Sequence, residues 1–241
     1  MKACLPFRAC QLAVLTFAAV VAPLAPALAA GTNAPPHARW ETDIRAFEAA
    51  DKTNPPPRNA VLFLGSSSIR LWKSAPAQFP GHTIINRGFG GSQVADSVAF
   101  VDRIVVPYQP RVIVFYAGDN DIAAGKTPER VLADFKEFVA KVHATLPETR
   151  IAFIALKPSP SRAKFLEQNR AANRLIRAFI AGQPKLTYVD IFTPMLGEDG
   201  QPREGLFVKD RLHLNDDGYK LWAGILKPVL DELRFAERET R

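Results

Sequence analysis

The run Val112-Ile113-Val114-Phe115-Tyr116 passes through Ala117 into Gly118-Asp119-Asn120-Asp121, with no polar residue before the glycine. Five consecutive β-branched and aromatic residues ending near a glycine read as a strand buried on both faces, with a polar turn at its carboxyl end. The pattern recurs along the chain. Val61-Leu62-Phe63-Leu64 ends at Gly65, Thr83-Ile84-Ile85 leads into Asn86 and Gly88, Ile151 to Leu156 ends at Lys157-Pro158, and Leu186-Thr187-Tyr188-Val189 ends at Asp190.

The stretches between carry helical periodicity. Pro128 to Leu146 repeats Val131, Leu132, Phe135, Phe138, Val139 and Val142, and Thr127-Pro128-Glu129 supplies a cap, a proline at the first position and an acidic first turn. Phe165 to Ile180 and Trp40 to Ala50 read as further helices. A last helix starts near Asp216 and buries Leu221, Trp222, Ile225, Leu226, Val229, Leu230 and Leu233, with Pro228 expected to kink or divide it. Alternating strands and helices imply right-handed crossovers and an α/β domain whose five-stranded parallel sheet is covered on both faces. In such sheets ligands bind outside the carboxyl ends of the strands.

The 241 residues suffice for one such domain, and 47% apolar with 23% charged residues excludes disorder for the bulk of the chain. Lys2 and Arg8, an apolar run from Leu12 to Val21, and the small residues Ala27-Leu28-Ala29 read as a cleavable secretory signal over 1–29. The run is short for a membrane span, and Pro23 and Pro26 interrupt its continuation, so stable membrane insertion is not expected. Residues 30–38 read as a linker and 39–241 as the working domain. Cleavage removes 29 of 241 residues and leaves 212, without Cys4 and Cys10. A thiol nucleophile and a cysteine metal cluster are thereby excluded from the mature chain. The net charge of +7 is spread along the sequence, and no aromatic-plus-arginine motif supports nucleic-acid binding.

The predicted strand ends gather reactive residue types. After the first strand comes Gly65-Ser66-Ser67-Ser68-Ile69-Arg70, and after the second Asn86-Arg87-Gly88-Phe89-Gly90-Gly91. After the third comes Gly118-Asp119-Asn120-Asp121, and before the last helix Asp210-Arg211-Leu212-His213. A serine hydroxyl needs a base as it attacks, histidine suits that role, and a carboxylate three residues away can hold its tautomer. Glycine N–H groups and an asparagine amide can receive the developing oxyanion. Each block alone also fits an ordinary turn, cap or surface pair. Gln93 stands where a dinucleotide fingerprint needs glycine, and the spaced ligands of a calcium loop are absent.

In their order along the chain, these four blocks resemble those of the SGNH hydrolases, or GDSL esterase/lipase family. Phe63 to Ser68 resembles the nucleophile block, whose nucleophile position falls on Ser67. Asn86 to Gly91 resembles the second block, whose oxyanion donor falls on Gly91. Gly118 to Asp121 resembles the third, whose amide donor falls on Asn120, and Asp210 to His213 resembles the block of orienting acid and base. The resemblance implies a three-layer α/β/α sandwich of flavodoxin-like character. The family's usual aspartate before the nucleophile is Ser66 here, so three consecutive serines leave Ser66 and Ser68 as alternatives to Ser67. Asp119 would add negative charge near His213 if it points inward.

The expected activity is hydrolysis of carboxylic esters, needing no metal or cofactor. The substrate expected is a short acyl, acetyl-type ester of a carbohydrate or small alcohol, met in a secreted or periplasmic location. A lysophospholipid or other lipid ester, and a non-catalytic carbohydrate-binding role on the same fold, are the alternatives. Trp72, Phe89, Tyr116 and the loop from Lys157 to Arg162 are candidates for the pocket wall, or for core packing.

Overall fold

The computed structural model describes Met1 and residues 37–239. The stretch read as a signal segment beyond Met1, both cysteines and the stretch read as a linker up to Pro36 lie outside the described residues. Five strands, β1 (Val61–Gly65), β2 (Ile84–Gly88), β3 (Val112–Tyr116), β4 (Arg150–Ile154) and β5 (Leu186–Val189), form one sheet. The order is β2-β1-β3-β4-β5 and every neighbouring pair is parallel. The helices are α1 (Glu41–Thr53), α2 (Ser67–Arg70), α3 (Ala75–Gln78), α4 (Val94–Ala99), α5 (Val101–Ile104), α6 (Asp119–Ala123), α7 (Pro128–Thr145), α8 (Leu166–Ile180) and α9 (Asp216–Glu239).

Successive strand side chains point to opposite faces, and this divides the core in two. Leu62, Leu64, Ile113, Phe115, Ile151 and Phe153 pack with α1, α4, α5, α7 and α8. Val61, Phe63, Val112, Val114, Tyr116, Ala152 and Ile154 pack with α2, α3 and α9. On the first face Phe115 and Phe138 stack at 4.3 Å between centroids. On the second, Trp72 meets Phe63, Phe79, Tyr219 and Trp222. Helix α7 begins where its cap requires, with the Thr127 hydroxyl accepting from Arg130 N, and buries Val131, Phe135, Phe138 and Val142.

Three local features differ from the sequence reading. Strand β2 continues through two polar residues because both are used. Asn86 Nδ2 donates to Ile69 O at 2.7 Å, and Arg87 pairs with Asp51 and donates to the Tyr108 hydroxyl. Helix α9 is not divided at Pro228. Pro228 and Gly224 both lie on its solvent face, so the carbonyl that proline leaves without a donor is open to water. His37 bonds to Asp96 at 2.6 Å, so it is tied to the domain and is not tether.

Candidate active site

The turn after β1 is set by crowding. Gly65 has φ 135°, and a Cβ on it would overlap the Tyr116 carbonyl oxygen, which accepts from Ser66 N at 2.9 Å. Gly65 O in turn accepts from Phe89 N at 2.9 Å, which brings the end of β2 alongside. Gly88 is pressed so closely against the Arg70 backbone that no side chain fits. The Tyr219 hydroxyl, from α9, donates to Ser68 O at 2.9 Å and ties the short α2 to its neighbour in the same layer. Between these restraints Ser67 opens α2. Its Oγ lies 3.0 Å from His213 Nε2. Ser66 and Ser68 are buried, and among the described residues neither hydroxyl has a hydrogen-bond partner. Of the three serines, Ser67 is the one that meets the histidine.

His213 is held from its other side by Asp210, with Nδ1 2.6 Å from Oδ2. Asp210 Oδ1 accepts from Leu212 N at 2.8 Å and His213 N at 2.9 Å, so the carboxylate also closes the turn that carries the histidine. Arg211, inside that turn, takes a left-handed φ of 58° while its guanidinium pairs with Glu204. Burial raises the Asp210 pKa, but the backbone and ring N–H groups of His213 and the backbone N–H of Leu212 outweigh it and hold it at about 2. An ionised carboxylate only accepts, so Nδ1 carries the proton and Nε2 of the neutral ring is free to take one from Ser67.

The two remaining expected residues face the same opening. Gly91 has φ 76° beside Trp40, and among the described residues neither Gly91 N nor Ser67 N donates to a protein acceptor. Asn120, on α6, donates from Nδ2 to Ser92 O at 3.0 Å and accepts at Oδ1 from Arg162 Nη2 at 2.9 Å. A primary amide has two N–H bonds, so one remains for a ligand. Asp119 does point inward, but it is neutralised: Lys157 Nζ lies 2.8 Å away and Arg162 Nη1 3.1 Å away. Burial opposes its charge, and these two cations still keep its carboxyl below the ordinary range. Asp121 is buried on the other side of α6, where it accepts from Val94 N and Lys126 and anchors the start of α4.

Ser67, His213, Gly91 and Asn120 line one cavity of about 450 Å³, together with Asp43, Arg70, Gly90, Arg162 and Leu212. Asp210 lies behind His213, at a neighbouring cavity. Trp72, Phe89 and Tyr116 are fully buried core residues, not pocket wall. Of the loop from Lys157 to Arg162, Arg162 reaches the cavity and Lys157 is buried beneath it. Asp43 and Arg70 escape a sequence reading, because charged residues on helices look like solvated positions. The only hint at Arg70 is its place three residues after Ser67, one helical turn on.

A parallel sheet of this order, with a serine, histidine and carboxylate chain and, among the described residues, unpaired donors at its carboxyl edge, is equipped for acyl transfer, and the family match makes the class a carboxylic ester hydrolase. The profile of the GDSL-like Lipase/Acylhydrolase family matches residues 59–221, and the chain belongs to that family. The human platelet-activating factor acetylhydrolase IB subunit alpha1 is 28% identical over 190 residues, covering 75% of this chain and 78% of its own. Among solved structures, a GDSL-like lipase from Bacteroides thetaiotaomicron superposes with a TM-score of 0.67 at 19% identity, covering 78% of this chain and 97% of that one. A carbohydrate esterase family 3 protein from Talaromyces cellulolyticus superposes with a TM-score of 0.57 at 17% identity, covering 72% and 97%. Among the described residues no helix is long and apolar enough to cross a membrane.

Proposed function

We propose that this hydrolase is a secreted esterase that removes short acyl groups, acetyl above all, from carbohydrates or small alcohols, with Ser67 as nucleophile. Ser67 Oγ attacks the acyl carbon and its proton passes to His213 Nε2. Asp210 holds the imidazolium. The carbonyl oxygen becomes an oxyanion facing the N–H groups of Ser67 and Gly91 and the Asn120 amide. The intermediate collapses, and the departing alkoxide takes the proton from His213. Water then gives a proton to His213, attacks the acyl-enzyme, and releases the acid and free Ser67.

The observation that carries this reading is the 3.0 Å contact between Ser67 Oγ and a histidine whose other nitrogen is 2.6 Å from a carboxylate. The short acyl group is supported by the small cavity, whose wall carries Asp43, Arg70, Asn120 and Arg162 with Leu212 as its one large aliphatic residue, and by relatives named as acetylhydrolases. Secretion is supported by the charged start, apolar run and Ala27-Leu28-Ala29 at the N-terminus.

The test is a series of nitrophenyl esters of increasing acyl length, with a fluorophosphonate probe. Acetate is expected to turn over fastest, and Ser67→Ala and His213→Ala to lose the activity. Full turnover by Ser67→Ala, or a folded wild-type protein that takes up no probe on Ser67, would refute the mechanism. Octanoate outpacing acetate would refute the short-acyl assignment. Recovery of exported protein beginning after Ala29 tests secretion.

A further inference from the structure

Arg70 closes the four-residue helix that Ser67 opens, and it lines the same cavity. Its guanidinium lies along Gly90, where a Cβ would stand 2.8 Å from Nε and 3.3 Å from Nη2. Glycine at position 90 therefore leaves the room in which this side chain rests, next to the donor at Gly91. Among the described residues Arg70 makes no side-chain hydrogen bond and no ion pair. Arg162, the other cation of the cavity, is committed to Asp119 and Asn120. Lys157 and Arg162 against Asp119 leave that cluster with a surplus positive charge. Asp43, the carboxylate on the cavity wall, pairs with neither arginine, and it is free to accept from a hydroxyl.

From these observations we propose that Arg70 binds an anionic group, a carboxylate or a phosphate, carried by the substrate close to the ester. The inference rests on the short-acyl reading above, since an acetyl group cannot itself hold the charge. The anion therefore belongs to the alcohol part. A guanidinium offers such a group two parallel N–H bonds, and an arginine with no protein partner loses none of its own bonds in doing so. The substrate class is an acyl ester of a hydroxy acid, acidic sugar or phosphorylated alcohol.

The test compares 4-acetoxybenzoate with its neutral methyl ester, which share the acyl group and differ in the anion. In Arg70→Gln, kcat/KM for the anionic ester should fall about tenfold more than for the neutral one, mainly through KM. In the wild-type enzyme the anionic ester alone should lose rate as salt rises, because an exposed charge pair is screened. 4-Acetoxyphenyl phosphate in place of the benzoate ranks phosphate against carboxylate. Equal losses on both esters in Arg70→Gln, or a wild-type preference indifferent to salt, would overturn the proposal. Calorimetric binding to Ser67→Ala, with and without Arg70→Gln, reads the same site without turnover. An enzyme that cleaves no ester but binds the anion through Arg70 would thus refute the esterase mechanism and leave the anion site standing.

Discussion

Arg162 Nη2 donates to Asn120 Oδ1 at 2.9 Å. The bond fixes which end of the amide faces the cavity, because an oxygen occupied by a guanidinium must lie on the Arg162 side. It also draws electron density from the amide and strengthens the remaining N–H as a donor. Arg162 is thus a positioning residue acting through Asn120. Asn120→Ala should lower kcat about 10²–10³-fold. Arg162→Ala should lower it about tenfold or more with a smaller change in KM, and the double variant should be no slower than Asn120→Ala alone. Steady-state kinetics of the three proteins on nitrophenyl acetate check this. Additive losses would mean that Arg162 acts elsewhere.

Asp210 serves both the histidine ring and the fold of its turn, and the two uses separate with pH. Its carboxyl is held at about 2, below the ordinary 3.8, so the stabilisation it gives is complete above about pH 4 and is lost as pH falls through about 2. Asp210→Asn should be less stable than wild type near neutrality, with a difference that shrinks between about pH 4 and pH 2. Its kcat should fall about 10³–10⁴-fold, since an amide no longer enforces the Nδ1–H tautomer. Urea denaturation at several pH values gives the first quantity and initial rates the second. A stability difference that grows on acidification would contradict the sign.

Ser66 occupies the position where the family usually has aspartate, yet its hydroxyl is buried and, among the described residues, unpartnered. Removing it should therefore cost little. Ser66→Ala is expected to keep kcat/KM within about threefold, with its melting temperature close to wild type, because no hydrogen bond is lost. Ser66→Asp should be the harmful change. It buries a carboxyl group where the hydroxyl finds no donor, at a cost of at least about 1–3 kcal/mol, the range for a neutral unpaired group, and more while it stays ionised. Thermal melts and nitrophenyl acetate rates on the two variants decide it, and a stabilised, faster Ser66→Asp would show that the turn still accommodates the acid.

Strands β1 and β3 were legible because both faces of each are buried, so every residue from Val61 to Leu64 and from Val112 to Tyr116 is apolar. Strand β2 was legible only as far as Ile85. Asn86 and Arg87 look like a loop, and their partners Ile69 O, Asp51 and Tyr108 are distant in sequence. The blocks holding Ser67, Gly91, Asn120 and His213 could be found because each follows a strand or precedes a helix. Choosing among Ser66, Ser67 and Ser68 needed the position of His213, 146 residues away. Arg70 and Asp43 were hard to read for a different reason: as charged residues on helices they look like solvated positions, and no sequence pattern encodes that, among the described residues, neither has an ion-pair partner.

Gly65 joins fold to chemistry most tightly, and it gives the sharpest stability test. Its φ of 135° is accessible to glycine, and its missing Cβ is what lets the Tyr116 carbonyl receive Ser66 N at 2.9 Å. In Gly65→Ala the methyl group must either displace β3 from β1 or force the turn open, and both move Ser67 away from His213. The cost should be at least about 2 kcal/mol, or about 5 °C or more in Tm for a domain of this size. Gly200 provides the control. It also has a positive φ, of 73°, but a Cβ there meets nothing within 4 Å, so Gly200→Ala carries the backbone strain without the clash. Melting both variants separates the two contributions. Gly65→Ala should lose far more stability than Gly200→Ala and lose esterase activity besides, whereas equal losses would assign the whole effect to φ and none to the contact between β1 and β3.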